Sequence, residues 1–232
     1  MCAGIFTNYS NCPIAKSLIL SVFLFPLLPV ACCLLPAHSA IYDAFQEHFH
    51  YLPNLEIINN YFETVPEYDC LVSPGNSFGL MDGGIDAAIV KYFGDFLMTS
   101  VQQKILDEYL GEQPVGTSTI VETGHPQHPF LAHTPTMRVP MSIAGTDTPY
   151  IAMWAMLLTV RHHNRQQKQQ IQNVVCPGLG TGIGKVSYQE AARQMALAYD
   201  HFVYPPKSIN NFIAAERQLQ IWEEGDLKKR YS

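Results

Sequence analysis

The sequence predicts an α/β three-layer domain, and three observations carry that prediction. Short apolar runs that read as buried strands alternate with stretches whose apolar residues recur at helical spacing. Two of those runs lead directly into glycine-rich loops, one from Ser73 to Asp86 and one from Cys176 to Lys185. Hydrophobic residues make up 47% of the 232 and charged residues only 15%, which supports a sizeable core and excludes global disorder. The length suits one domain with flanking segments.

The elements follow in chain order. Leu18 to Leu35 is a nearly uninterrupted apolar run with Lys16 just before it, and it admits two readings. As a signal peptide or membrane anchor it is irregular. Ala37-His38-Ser39-Ala40 puts a histidine where a cleavage site wants a small residue, and Pro26, Pro29 and Pro36 disturb a spanning helix. Alternatively, Val30 to Leu35 is the first strand of the sheet after an irregular leader, the reading that goes with a cytoplasmic protein. Ser39 to His50 reads as a helix, with Ile41, Tyr42, Phe45 and Phe49 at its spacing and Ser39 as N-cap. Leu55 to Asn59 reads as a strand, and Cys70 to Val72 as a short apolar strand ending at the first glycine loop. Ile85 to Phe93 is helical in pattern and stopped by Gly94; Phe96 to Tyr109 is a second helix closed by Gly111. Ser118 to Glu122 and Phe130 to Thr134 read as strands, Thr146 to His163 as a long helix, and Asn173 to Cys176 as the strand feeding the second loop. Ser187 and Glu190 have the spacing of a capping box at the head of a helix reaching Phe202. Beyond Pro205-Pro206 a last helix spans Ile209 to Glu224. The chain thus divides into a leader (1–36), a domain (37–204) and a helical extension (205–232).

The formal charge of −6 argues against a nucleic-acid partner, which needs clustered Lys and Arg. A small phosphate ligand stays open, because backbone N–H groups and helix N-termini bind phosphate without basic side chains. Cys70 and Cys176, each in a strand before a glycine loop, read as small buried apolar residues. No Cys-x-x-Cys spacing with matching histidines occurs, and prolines interrupt the register between His125 and His128, so no metal site is predicted.

Two common nucleotide motifs fail on the second loop. Leu179 and Val186 stand where a G-x-x-x-x-G-K-[ST] loop needs glycine and Ser or Thr, and Ile183 stands where G-x-G-x-x-G needs its last glycine. The blocks Ser73-Pro74-Gly75-Asn76-Ser77 and Gly83-Gly84-Ile85-Asp86 resemble the Asn-Ala-Ala-Asn and Gly-Gly-Gly-Val-Asp segments of the macro domain family. Leu179-Gly180-Thr181-Gly182-Ile183 resembles its second loop, and Leu131-Ala132-His133-Thr134 its Ile-His-x-Val strand. The order of the blocks agrees from Leu55 to Phe202, and Pro135 to Pro140 and Cys176 to Gly182 resemble a bacterial and phage branch.

The resemblance implies a mixed central sheet flanked by helices and a cleft for ADP-ribose, free or on protein, with no cofactor. It implies that Asn76 contacts the distal ribose and Asp86 positions water, the two catalytic candidates. Gly83, Gly84 and Ile85 would approach the pyrophosphate from one side, and Gly180, Thr181, Gly182, Ile183 and Gly184 would wrap it from the other. Ser77 lies beside Asn76 in the same loop and joins the ligand-binding set. Asn60 and Tyr61 stand where the family has its adenine-binding Asp-Ile pair. Departures are Gly184 in place of an aromatic and Met81-Asp82 in place of glycines. Three functions stay open: hydrolysis of an ADP-ribosyl or ADP-ribose phosphate bond, non-catalytic recognition of ADP-ribose or an ADP-ribosylated protein, and a structural or membrane-tethered protein that keeps the fold without the ligand. Membrane contact is open only through the leader.

Overall fold

The computed structural model describes residues 39–222, together with two short strands before them, Leu18–Ile19 (β1) and Ala31–Cys33 (β2). The remaining elements are α1 (Ser39–Phe49), β3 (Ile58–Asn59), β4 (Cys70–Ser73), α2 (Gly84–Phe93), α3 (Phe96–Tyr109), β5 (Thr119–Glu122), β6 (Phe130–His133), α4 (Thr148–Gln166), β7 (Asn173–Val175), α5 (Tyr188–Val203) and α6 (Asn211–Ile221).

Five strands form one mixed sheet in the order β2-β7-β4-β6-β5. β2, β7, β4 and β6 run parallel, and β5 closes the edge antiparallel to β6. Leu71 of β4 sits between Val175 and Leu131, so the apolar centres of three strands are in register. Every residue of β4 and β6 is buried, as strands covered on both faces must be, whereas edge strand β5 alternates in its burial. α5 packs between α1 and α4, α2 packs on α3, and the sheet lies between the two helical layers. The α/β three-layer prediction is what the chain adopts.

Local chemistry explains the boundaries. Ser187 Oγ accepts from Glu190 N at the head of α5, but Glu190 turns its carboxylate to Arg193 and Gln194, so only half of the expected capping box forms. Leu110 takes a left-handed φ of 56° to end α3 before Gly111. The predicted strand from Leu55 to Asn59 is corrected: only Ile58–Asn59 pairs, antiparallel to Leu18–Ile19, in a separate two-stranded ladder. Ala31–Cys33 pairs with Asn173–Val175, and most of the surrounding apolar run lies outside the described residues. Among the described residues no helix is long and apolar enough to cross a membrane. α6 returns to the domain: Arg193 donates to the carbonyls of Gln220 and Ile221, and the Arg217 guanidinium lies 5.5 Å from the Trp154 ring centroid.

Candidate functional site

Both glycine loops leave the carboxyl ends of neighbouring parallel strands, β4 and β7, where open α/β sheets place their ligands. The first loop runs beside the chain that follows β6. Thr134 N donates to Ser73 O, Thr136 N to Gly75 O and Ser77 N to Met137 O, and Asn76 forms an isolated parallel bridge with Met137. The Asn76 amide then closes the turn. Its Oδ1 accepts from Phe78 N (3.1 Å) and Leu80 N (3.3 Å), and its Nδ2 donates to Leu80 O (2.8 Å). Gly83 is extended and Gly84 has a φ of 57°, which leads the chain into α2 through a conformation costly for other residues.

The second loop is tied to itself. Val186 N donates to Gly180 O, Lys185 N to Gly182 O and Thr181 Oγ1 to Gly178 O, with Gly180 at a φ of 75°. At Gly184 the loop has no room for a side chain. A β-carbon on it would lie 2.5 Å from Gly180 O and 2.8 Å from Ile143 Cγ1.

Between the loops lies a cleft of about 680 Å³. Of the predicted residues, Tyr61, Asn76, Gly83, Gly84, Ile85, Asp86, Gly180, Thr181, Gly182, Ile183 and Gly184 line it. Two do not. Asn60 is exposed and accepts from Tyr61 N with its own Oδ1, because the chain turns there into a short 3-10 segment, Phe62–Thr64. Ser77 is buried behind the loop, its backbone held between Met137 and Gln113. Arg138 is paired instead with Glu112, at 2.6 and 2.9 Å, and lies over the Phe78 ring, outside the cleft lining. Another groove, along the β5 edge by His162 and Lys168, is more open and holds none of the predicted residues.

The cleft walls contain bare backbone. Where β-carbons on Gly83, Gly84 and Gly182 would stand, no atom lies within 4 Å apart from the adjoining residues and the backbone of the same helix. The first-turn amides of α2 have no intrahelical acceptor and carry the positive end of the helix dipole. Among the described residues Lys185 is the one basic side chain in the lining, against Glu63, Asp82 and Asp86. Negative groups on a ligand would therefore be met mainly by backbone N–H groups.

Asp86 is the buried carboxyl of the site. Its Oδ1 accepts from Ser73 Oγ at 2.8 Å. Burial pushes its pKa up to about 7; the Ser73 hydroxyl opposes that rise and Asp82 adds to it. Beneath the first loop lies His133, fully buried, with Nδ1 2.7 Å from Gln113 Oε1 and a pKa pushed down to about 4 by burial. Lys185, Thr136, Glu63 and Tyr188 also line the cleft and were not among the predicted residues. Lys185, at the end of the second glycine loop, and Thr136, inside the Pro135 to Pro140 block, carried a local signal. Among the described residues no cluster of His, Cys, Asp and Glu fits a metal ion; His125 and His128 stack on each other, 4.7 Å between ring centroids, and His128 stacks on Tyr68.

Comparison with known proteins bears on the fold and the family. An uncharacterized protein of Aquifex aeolicus (strain VF5) is 28% identical over 164 residues, which cover 69% of this chain and 91% of that one. The macrodomain of Mycobacterium tuberculosis DarG shares the fold with a TM-score of 0.51 at 19% identity, over 62% of this chain and 88% of its own. A Trypanosoma brucei macrodomain solved in complex with ADP-ribose is similar with a TM-score of 0.46 at 16% identity, over 59% of this chain and 52% of that one. The family model described as Macro domain matches residues 72–195, more than half of the sequence, and the chain belongs to the macro domain family.

Proposed function

We propose that this protein binds ADP-ribose between its two glycine-rich loops and hydrolyses an ADP-ribosyl bond there, on protein or as ADP-ribose phosphate. The observation that carries the reading is the open backbone of Gly83, Gly84 and Gly182 on facing walls of one cleft, with Asp86 buried beside it. Those glycines leave room for a diphosphate to approach N–H groups from both sides. Tyr61 and Ile183 offer apolar contact for the base and sugars. Asp86, ionised above about pH 7, takes a proton from the water that attacks the anomeric carbon. The bond from that carbon to the acceptor oxygen breaks, its electron pair leaves with the acceptor as a carboxylate or phosphate anion, and the loop amides hold the diphosphate in place.

One observation favours the second reading, a binding module without turnover. The Asn76 amide is largely used in closing its own loop, so it has little capacity left to orient a ribose. Calorimetry with ADP-ribose tests both readings, and no heat at millimolar ligand would end them. Turnover of ADP-ribosylated protein by wild type, Asp86→Ala and Asn76→Ala separates the two. Full activity in the aspartate variant removes the catalytic assignment.

A further inference from the structure

The second glycine loop alternates glycine with side chains, Gly180-Thr181-Gly182-Ile183-Gly184-Lys185. Thr181 spends its hydroxyl on Gly178 O at 3.0 Å and Ile183 is apolar, so Lys185 is the one charged side chain the loop presents. Its backbone is left-handed, with a φ of 58°. Among the described residues only two other non-glycine residues share that conformation. Asn54 is of a type that tolerates it, and Leu110 takes it to end α3. Lys185 does neither, and lysine is costlier there than the glycine that fills every second place before it. Non-glycine residues held in strained backbone concentrate at binding and catalytic sites.

The surroundings hold that conformation in place. Lys185 N donates to Gly182 O, Val186 N to Gly180 O, and Ile143 N to Gly184 O at 2.8 Å. Residues 136–143 thus run from Gly75, where Thr136 N donates, to Gly184, and Thr136, Met137 and Pro140 line the cleft between those two ties. Lys185 follows directly on the second tie, exposed and in the lining. The lining also carries the carboxyls of Glu63, Asp82 and Asp86. The ion pairs of the described residues are Lys104–Glu108, Arg138–Glu112 and Arg193–Glu190, so among them no carboxylate claims the Lys185 ammonium. A diphosphate entering between the loops meets like charge from the cleft carboxylates, and this ammonium is the one full positive charge there to offset it.

We propose that Lys185 is a specificity-determining residue of the cleft: its ammonium pairs with the diphosphate of the ligand and favours nucleotides that carry one over those with a single phosphate. The role rests on the reading of the cleft as an ADP-ribose site. The amides of the glycine loops set where the diphosphate lies, and Lys185 adds the charge that those dipoles lack. A lysine that only closed the turn would be replaced by glycine without loss, so Lys185→Gly tells the two roles apart.

The test titrates the ¹⁵N-labelled full chain with inorganic pyrophosphate by NMR, and with ADP-ribose, ADP and AMP by calorimetry, at low and at high salt. Pyrophosphate is expected to shift the amides of Gly180 to Val186. Lys185→Met, which keeps the aliphatic stem and loses the charge, is expected to weaken pyrophosphate, ADP and ADP-ribose roughly tenfold at low salt, and AMP less. Added salt narrows the gap between the two proteins, and Lys185→Arg keeps most of the affinity. Lys185→Gly relieves the left-handed backbone, so its melting temperature holds or rises while its binding falls to the level of Lys185→Met. Pyrophosphate that shifts no loop amide, or binds wild type and Lys185→Met equally, overturns the proposal, and so does an equal loss for AMP. Lysine-dependent pyrophosphate binding with no heat from ADP-ribose ends the functional reading and leaves the diphosphate contact standing. Equal ADP-ribose affinity in wild type and Lys185→Met does the reverse.

Discussion

Ser73 Oγ donates to Asp86 Oδ1 at 2.8 Å, and through this bond the last residue of β4 is tied to the first turn of α2 across the whole first loop. The bond favours the ionised carboxylate and works against the burial that holds the group near neutrality. Ser73→Ala is therefore expected to raise the Asp86 pKa by about one further unit. The acid limb of a pH–rate profile would move up with it, and an unmoved limb would detach Asp86 from the rate.

The Asp86 and His133 protonations offset each other in the folding equilibrium. Below pH 6.5 the unfolded chain protonates His133 but not Asp86, while the native protein holds Asp86 protonated and His133 neutral. Each state binds one proton, so the pair leaves stability nearly flat between about pH 4 and about pH 6.5. In Asp86→Asn the histidine acts alone, and stability should rise with pH across that window by up to about 1.4 kcal/mol per unit. In His133→Leu the aspartate acts alone, and stability should fall as pH rises from about 4 to about 7. Urea unfolding at several pH values measures both slopes, and parallel curves for all three proteins would refute the assignment.

Gly182 has an ordinary φ and open space where a side chain would point, into the cleft. Gly182→Val should leave the melting temperature nearly unchanged and weaken ADP-ribose binding roughly tenfold or more. Calorimetry alongside a thermal melt checks the pair of outcomes.

Gly184 is the opposite case two residues on. Its missing β-carbon makes room for Gly180 O and Ile143. Gly184→Ala should cost about 1–3 kcal/mol in urea unfolding, because one of the contacts lies on rigid backbone.

The two loops were legible because glycine clusters following apolar strand runs have a local cause. The cleft lining followed from them, from Gly83 to Asp86 and from Gly180 to Gly184. What failed were directions set by single turns. Asn60 precedes a 3-10 segment that aims Tyr61 rather than Asn60 at the cleft, and Ser77 is turned away by the bridge between Asn76 and Met137. The spacing of Leu55 to Asn59 suggested a full strand, but only Ile58–Asn59 meets a partner. The contact between His133 and Gln113 links residues far apart in sequence, and nothing near either residue announces it.

The two walls of the cleft come from β4 and β7, strands that lie side by side in the sheet although α2, α3, β5, β6 and α4 intervene in the chain. No shorter segment contains both walls. A ligand gripped by both loops can bind only after the central pairing is complete, so its binding free energy is coupled to unfolding of the whole domain rather than to fraying of one loop. ADP-ribose would then slow hydrogen exchange at the innermost amides of β4 and β7 as well as at the loops themselves. A nascent chain would acquire the site only once residues beyond Lys185 had left the ribosome.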